Sequence, residues 1–404
     1  MLRPALVLKF GGSSVATKEK MDHVAARVAR FRRDGYHVAV VVSARGDTTD
    51  ELLALAREMG GDTLDGRELD QLLATGECQS VALLALALGR QGVLARSLTG
   101  PQWGLKAQGR PGMGVLTGCD PKAVQDAFTE GAVVVAAGFQ ALDPKGDVVT
   151  LGRGGSDLSA IALAGALEAQ ACTIFTDVSG LFSADPRLVP GAKKIEALSP
   201  ELALEMTVGG AKVLQSRCVE LAASLGVPLY LAHSMTEEQG SWVMKEVCEG
   251  AAVVAVVDQS GWTKAKVQCS AEGLSKFLSA ATNEGVAPIE FSHCDGGYEL
   301  WFLAAAQQRL KEVASRWNVA LTVADEVYTK LTIVGSGLGN HGELCSALPE
   351  LLLAQGLIPL RLAVGGNSFA LWVSEEQGKA ALELLHRKLI EEEFSLAPCP
   401  TPSL

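Results

Sequence analysis

The chain has 404 residues, 48% of them apolar and 20% charged, with a formal net charge of −11. That length exceeds one ordinary hydrophobic core and predicts two or three domains, and the balance is that of a soluble globular protein rather than a disordered one. The negative charge argues against a binder of nucleic-acid backbones, but not against a nucleotide site made from a few local cations and backbone amides. The longest apolar runs, Val81 to Leu88 and Ala251 to Val257, are too short to span a bilayer, and the start has no apolar leader with a cleavage site. No membrane association and a cytoplasmic location are expected. Nine cysteines without a C-x-x-C pair read as small core residues in a reducing compartment.

Leu6 to Phe10, Val38 to Val42, Val133 to Ala137, Cys172 to Thr176 and Pro228 to Ala232 read as buried strands, with amphipathic stretches such as Lys20 to Arg33 and Ser159 to Glu168 between them. That alternation over residues 1 to about 245 predicts an α/β domain, a mainly parallel sheet with helices on both faces. Ligands of such sheets bind in the crevice at the carboxyl ends of the strands. The second half repeats itself: Gly285-Val-Ala-Pro288 and Gly356-Leu-Ile-Pro359 lie 71 residues apart, as do Leu300-Trp301 and Leu371-Trp372, each of the latter preceded by a Gly-Gly pair. With strands near Lys264 to Ser270 and Tyr328 to Gly335, two copies of a small βαββαβ module are predicted. The end, EEEFSLAPCPTPSL, reads as a frayed tail. The expected boundaries are 1–245, 246–327, 328–395 and a tail at 396–404.

Lys9-Phe10-Gly11-Gly12-Ser13-Ser14-Val15 stands where a strand ends and a helix soon begins. Paired glycines let backbone N–H groups approach an anion, and Lys9 adds a full charge. It is not a Walker A loop, because the lysine precedes the glycines. Thr150-Leu-Gly-Arg-Gly-Gly-Ser-Asp157 is a second such junction. Its glycines free the backbone to wrap a phosphate chain, Arg153 can grip a carboxylate or phosphate through two bonds, and Ser156 and Asp157 open the next helix. A tight turn with a Ser or Asp N-cap is the plainer alternative. Thr176-Asp177-Val-Ser-Gly180, running into Phe182 and Asp185-Pro-Arg187, suits a nucleotide's ribose and base edge, although each piece alone is a common turn. Gly209-Gly210-Ala211-Lys212 could bring a second lysine to the phosphates or be a helix turn with a solvated lysine. Ser43 to Thr49 offers hydroxyls to a small polar ligand, and Gly76-Glu77 opens a helix where a carboxylate could receive a substrate ammonium or serve the helix dipole.

Taken together and in order, Lys9-Phe-Gly-Gly-Ser-Ser-Val, Val-Ser43-Ala, Gly76-Glu77, Gly138-Phe-Gln, Leu151-Gly-Arg-Gly-Gly-Ser-Asp157, Thr176-Asp-Val, Ala184-Asp-Pro-Arg187 and Gly210-Ala-Lys-Val-Leu214 resemble the aspartokinases of the amino acid kinase superfamily. The resemblance is close over residues 1 to about 245 and looser beyond, where it implies tandem ACT domains. It implies ATP-dependent phosphorylation of the β-carboxylate of L-aspartate to 4-phospho-L-aspartate, the entry to lysine, threonine, methionine and isoleucine synthesis. By matching positions, Lys9 would contact the transferring phosphoryl group, with Phe10, Gly11, Gly12, Gly154 and Gly155 around the phosphate tail. Asp157 would organise the reacting centre. Arg153 would bind the substrate α-carboxylate, and Ser43, Thr49, Glu77 and Ser156 would complete the amino-acid pocket. Thr176, Asp177, Phe182, Asp185, Arg187 and Lys212 would line the nucleotide side, with Mg²⁺ carried by ATP rather than by a protein metal site. A homodimer formed through the ACT modules is also implied.

There are departures. Arg45 stands where methionine is usual, Cys78 follows Gly76-Glu77 in place of arginine, Ser179 replaces an aspartate, and Gln102 to Leu116 matches the substrate-side loop poorly. The effector-loop positions read Ser270-Ala-Glu-Gly273 and Ser336-Gly-Leu-Gly-Asn-His-Gly342, with Ala363-Val-Gly-Gly-Asn367 in place of the usual second-module segment. Weakened or lost inhibition by lysine and threonine is therefore expected. A kinase for N-acetylglutamate or for an aspartate analogue, and a catalytically silent amino-acid sensor, are the alternative readings.

Overall fold

The computed structural model describes residues 4–61, 63–245, 253–286, 289–294 and 296–392, so the expected tail at 396–404 and the expected start of the second region at 246 lie outside the described residues. The first strand, β1 (Ala5–Phe10), is buried on both sides and pairs in parallel with β2 (His37–Val42) and, on its other edge, with a strand much later in the chain. In order follow helices α1 (Lys18–Arg33), α2 (Thr48–Gly60) and α3 (Gly66–Arg90), then strands β3 (Ala95–Leu98), β4 (Leu105–Gln108) and β5 (Val115–Cys119). Next come α4 (Lys122–Thr129), β6 (Val133–Ala137), β7 (Gln140–Leu142), β8 (Val148–Thr150), α5 (Gly155–Ala166), β9 (Cys172–Thr176), β10 (Leu181–Phe182), β11 (Lys194–Ile195) and β12 (Ala197–Leu198). Helices α6 (Pro200–Gly209) and α7 (Ser216–Leu225) and strands β13 (Leu229–His233) and β14 (Ser241–Val243) complete this part.

Eight strands form one sheet in the order β12-β14-β13-β9-β1-β2-β6-β3, parallel throughout except where β14 runs against β13. A four-stranded sheet, β5-β4-β7-β8, is separate from it. The five strands predicted in this region start within one residue of expectation, whereas the one expected near Lys264 to Ser270 begins at Ala255. Period-two alternation sends Leu6, Leu8 and Phe10 into a core with Val24 and Val28 of α1 and Leu84 and Leu88 of α3, each such buried side chain stabilising the fold by about 1.5–3 kcal/mol. Val7 and Lys9 therefore face the side where α5 packs on β1. Helix α1 begins where Thr17 accepts the Lys20 N–H and ends on Arg30, Arg32 and Arg33, cations suited to a helix C-terminus.

Helix α3 changes the membrane argument made from uninterrupted apolar runs. Its 25 residues are long and apolar enough to cross a bilayer, yet it lies against α1, α2, β3, β6 and β8 with Val81, Leu84 and Leu88 buried.

The chain folds into two compact units, the second comprising, among the described residues, 182–193, 208–211 and those from 253 to 392. Its described elements are β15 (Ala255–Gln268), α8 (Ala271–Asn283), β16 (Ile289–Cys294), β17 (Gly297–Leu303), α9 (Gln307–Arg316), β18 (Ala320–Val323), β19 (Tyr328–Val334), α10 (Leu344–Leu353), β20 (Arg361–Val364), β21 (Ser368–Ser374) and α11 (Glu375–His386). The first repeat is βαββαβ, its last strand β18 returning to β15. Among the described residues the second is βαββα. Its missing strand is supplied by the first half of β15, where Ala255–Gln259 pairs with β19, while Trp262–Gln268 pairs with β17 and β18. The changeover is a bulge at Gly261, whose φ of 82° favours glycine.

The sheet order is β16-β17-β15-β19-β21-β20. Even so, Glu290 on β16 reaches Arg361 on β20 at 3.2 Å and Lys330 on β19 at 2.7 Å. The sheet therefore curls until its edges meet, enclosing Trp262, Trp301, Tyr328 and Trp372. Lys330 lies over the rings of Trp262 and Trp372 at 5.1 and 5.0 Å, so cation–π attraction accompanies the ion pairs.

Candidate active site

The carboxyl ends of β1, β2, β6 and β9 share one edge of the large sheet, and Lys9, the Gly11-Gly12 turn, Ser43 and Thr176 emerge there. Lys9, turned by strand alternation toward α5, places Nζ 2.7 Å from Asp157 Oδ1, both side chains largely buried. Beyond it the chain turns through Gly11 and Gly12. A Cβ on Gly12 would sit 2.3 Å from the Ala44 carbonyl oxygen, so only glycine fits. Ser43 N–H donates to the Phe10 carbonyl and Gly46 N–H to that of Gly12, lacing the loops after β1 and β2 together. One expectation changes here: the turn enters a four-residue 3₁₀ segment, Gly12–Val15, and the α-helix starts only at Lys18. What this turn offers an anion is the half-buried backbone of Gly11 and Gly12 and the Lys9 charge, rather than a long helix's dipole.

The second glycine turn carries Gly152 and Gly154 at φ of 72°, with Arg153 exposed between them. The N-cap of α5 is Gly154, with no side-chain cap bond, so Ser156 and Asp157 are first-turn residues and not caps. Gly155 closes on Phe139, and Ser156 lies against Gly138. The turn is held from outside: Arg217 donates to the Leu151 and Gly114 carbonyls, and Gly114 N–H donates to Thr150 O.

Glu77 does not open a helix; it lies in the middle of α3, buried to 3% exposure. Gly76 beside it lets Ala44 and Thr48 approach. Glu77 Oε1 accepts the Ala44 N–H at 2.9 Å, while Oε2 is buried with no partner among the described residues. Burial pushes its carboxyl up to about 7, with the Ala44 amide and its own backbone amide opposing. Ser43 directly follows β2 and Thr49 is in the first turn of α2, both half-buried.

Of the residues expected to line a nucleotide, Thr176 ends β9 and Asp177 follows it, the Thr176 hydroxyl donating to Asp177 at 3.0 Å. Phe182, Asp185 and Arg187 fall in the second unit, Asp185 and Arg187 joined by an ion pair of 2.6 Å. Gly209 and Gly210 are close-packing residues: a Cβ on Gly209 would press on Val257 and Thr332, and one on Gly210 on the Asp258 carbonyl. Lys212 follows, exposed. Thus the sheet edge brings together Lys9, Gly11, Gly12, Ser43, Glu77, Ser156 and Asp157, but not Phe182, Asp185 and Arg187.

Asp70 is a residue that sequence reasoning missed. Buried on α3, it accepts the Gly112 and Thr150 N–H groups at 3.0 and 2.9 Å and the Thr150 hydroxyl at 2.8 Å, fixing the strand that leads into the Arg153 turn. Its spacing of seven from Glu77 puts both acids on one helix face, a signal that could have found it. Arg217 carried no comparable signal.

A lysine–aspartate pair beside two glycine turns at a parallel sheet's carboxyl edge defines a site for transferring a phosphoryl group to a small anion. The model of the amino acid kinase family matches residues 4–233. Aspartokinases from Geobacillus stearothermophilus and Mycolicibacterium smegmatis are 36% and 34% identical to the chain, covering 97% and 94% of it and 97% and 95% of their own lengths. In fold, aspartokinase III of E. coli in complex with aspartate and ADP aligns with a TM-score of 0.78 at 21% identity, over 95% of this chain and 99% of that one. The chain belongs to the aspartokinase family.

Proposed function

We propose that the chain transfers the γ-phosphoryl group of ATP to the β-carboxylate of L-aspartate. The observation that carries the choice of acceptor is the orphaned oxygen of Glu77. A buried, unpaired carboxylate beside Ser43 and Ala44 calls for a cation, and the ammonium of a free amino acid supplies one where an N-acetylated acid cannot. Arg153 binds the α-carboxylate, with Ser43, Thr49 and Ser156 around the substrate. The attacking oxygen is already ionised at neutral pH, so no general base is required. The obstacle is bringing two anions together, which Lys9, aimed by Asp157, and the Gly11-Gly12 amides offset. Mg²⁺ arriving on the ATP phosphates would screen the remaining charge; the glycine turns fit that role, since they cradle phosphate with backbone. Thr176, Asp177, Phe182, Asp185, Arg187 and Lys212 are assigned to the nucleotide.

Functionally, residues 1–245 form the catalytic region and 246–327 and 328–395 two ACT modules that hold a cytoplasmic homodimer together. Feedback by amino acids is weak, because the loop amides are capped internally. Ser270 accepts the Gly273 N–H at the start of α8, and Asn367 Oδ1 accepts the Gly337 N–H at 3.0 Å.

The test is hydroxamate trapping of the acyl phosphate with ATP and either L-aspartate or N-acetylglutamate. Product with aspartate alone supports the reading; product with N-acetylglutamate alone, or with neither, overturns it.

A further inference from the structure

Outside the sheet-edge site, the second unit contains a relay that the chemistry does not use, running from a buried serine and histidine to a carboxylate at the surface. His386 ends α11 and is fully buried. The chain then makes a π-helical turn, Arg387–Glu391, whose wider period returns residue 391 beside residue 386. Glu391 Oε1 lies 2.9 Å from His386 Nδ1, and Ser183 Oγ lies 2.8 Å from His386 Nε2. Ser183 Oγ also accepts the Lys193 N–H at 2.8 Å. All three contacts are satisfied when Nδ1–H donates to the carboxylate and Nε2 accepts the serine hydroxyl's proton.

The relay has the connectivity of a hydrolase triad, but a buried serine that already accepts a backbone amide is a strut and not a nucleophile. What it holds is segment 182–193. Ser183 N–H donates to the Lys193 carbonyl, closing that segment into a loop, and Lys193 Nζ donates to the Ile390 carbonyl at 2.9 Å. Val256 N–H of β15 donates to the Ser183 carbonyl, while Ala184 and Val189 join the core around Leu385 and Leu389. Between these anchors stand Asp185 and Arg187, and Phe182 precedes Ser183. Helix α11 itself packs on β15 and β19.

We propose that His386 is a positioning residue for ATP, acting through Ser183 to hold the 182–193 loop in its nucleotide-ready shape, with Glu391 fixing its tautomer. The inference rests on the assignment of Phe182, Asp185 and Arg187 to the nucleotide.

Steady-state kinetics on the full chain test it, with His386→Asn, His386→Gln, Gly191→Ala and Arg187→Ala. Asparagine reaches Glu391 but not Ser183, and glutamine can still meet Ser183. Alanine at 191 would place its Cβ 2.3 Å from Glu391 Oε1, displacing that flexible carboxylate while leaving His386 and Ser183 in place. His386→Asn is expected to raise KM for ATP about tenfold, the loss of one net hydrogen bond, with KM for aspartate unchanged; His386→Gln and Gly191→Ala give smaller rises. If Arg187→Ala raises KM for ATP while the folded His386 variants do not, the positioning role is overturned alone. If none of the four moves it, the nucleotide assignment falls and takes the inference with it. If both KM values rise equally, His386 is only structural. Should His386→Asn fail to fold, Gly191→Ala and His386→Gln decide.

Discussion

Lys9 Nζ and Asp157 Oδ1 stand 2.7 Å apart where β1 meets the first turn of α5. The aspartate aims the lysine at the space over Gly11 and Gly12. Lys9→Met is therefore expected to lower kcat by about 10²-fold or more, the usual cost of a preorganised charge at a transition state. Asp157→Asn, which keeps the lysine but not its aim, lowers kcat less. A coupled assay of ADP release at saturating ATP and aspartate measures both.

Burial of Glu77 makes the stability of the empty protein depend on pH. Its folded-state carboxyl titrates near 7 against an ordinary 4.5, so ionisation is disfavoured in the empty protein. The penalty is absent below pH 4.5, grows between the two values and is complete above pH 7, where it reaches on the order of 3 kcal/mol. Glu77→Gln is expected to melt higher than the parent at pH 8 and nearly equal to it at pH 5. It should also raise KM for aspartate, and in the parent that KM should climb as pH falls below 7, because a protonated Glu77 cannot offset the ammonium. Calorimetry and initial rates across pH 5 to 8 check both halves.

With Gly337 N–H already held by Asn367 and Gly273 N–H by Ser270, the purified protein is expected to keep most of its activity in low-millimolar lysine plus threonine. Strong inhibition by the pair sinks the internal-capping account. Asn367→Ala, leaving one amide without its acceptor, costs about 1 kcal/mol of stability and leaves basal turnover unchanged.

The ion cluster in the curled sheet is asymmetric. Glu290 serves two cations, Lys330 and Arg361, each lying on tryptophan faces. Glu290→Ala strands both and is expected to cost about 2–4 kcal/mol in urea unfolding, the half-buried setting reducing the full price of a broken buried pair. Lys330→Met keeps the Glu290–Arg361 contact and fills similar volume over Trp262 and Trp372, so it should cost less than half as much.

The sheet-edge site was legible in the sequence because its parts are local. Lys9 and the glycine turns are each set by a strand end and one or two backbone requirements, and they stand where the alternation of strands put them. Glu77 was expected at the opening of a helix and instead lies well inside one, because α3 begins eleven residues earlier at a cap on Asp65. The dependence of the Arg153 turn on Asp70 and Arg217 was invisible, since partners 80 and 66 residues away leave no periodic trace. The same holds for His386, which meets Ser183 across 203 residues. The repeat was visible through its Gly-Pro and Leu-Trp pairs; the strand missing from its second copy was not, because that strand lies ahead of the first copy.

Strand β15 enters the second repeat's sheet before it enters the first's. The two copies are consequently interleaved along the chain, and no cut between residues 324 and 328 can yield two whole halves. A fragment starting at Tyr328 would present β19 with one bare edge, open to pairing with another chain. The pair should therefore melt in a single cooperative step, one shared strand making the two repeats a single obligate body.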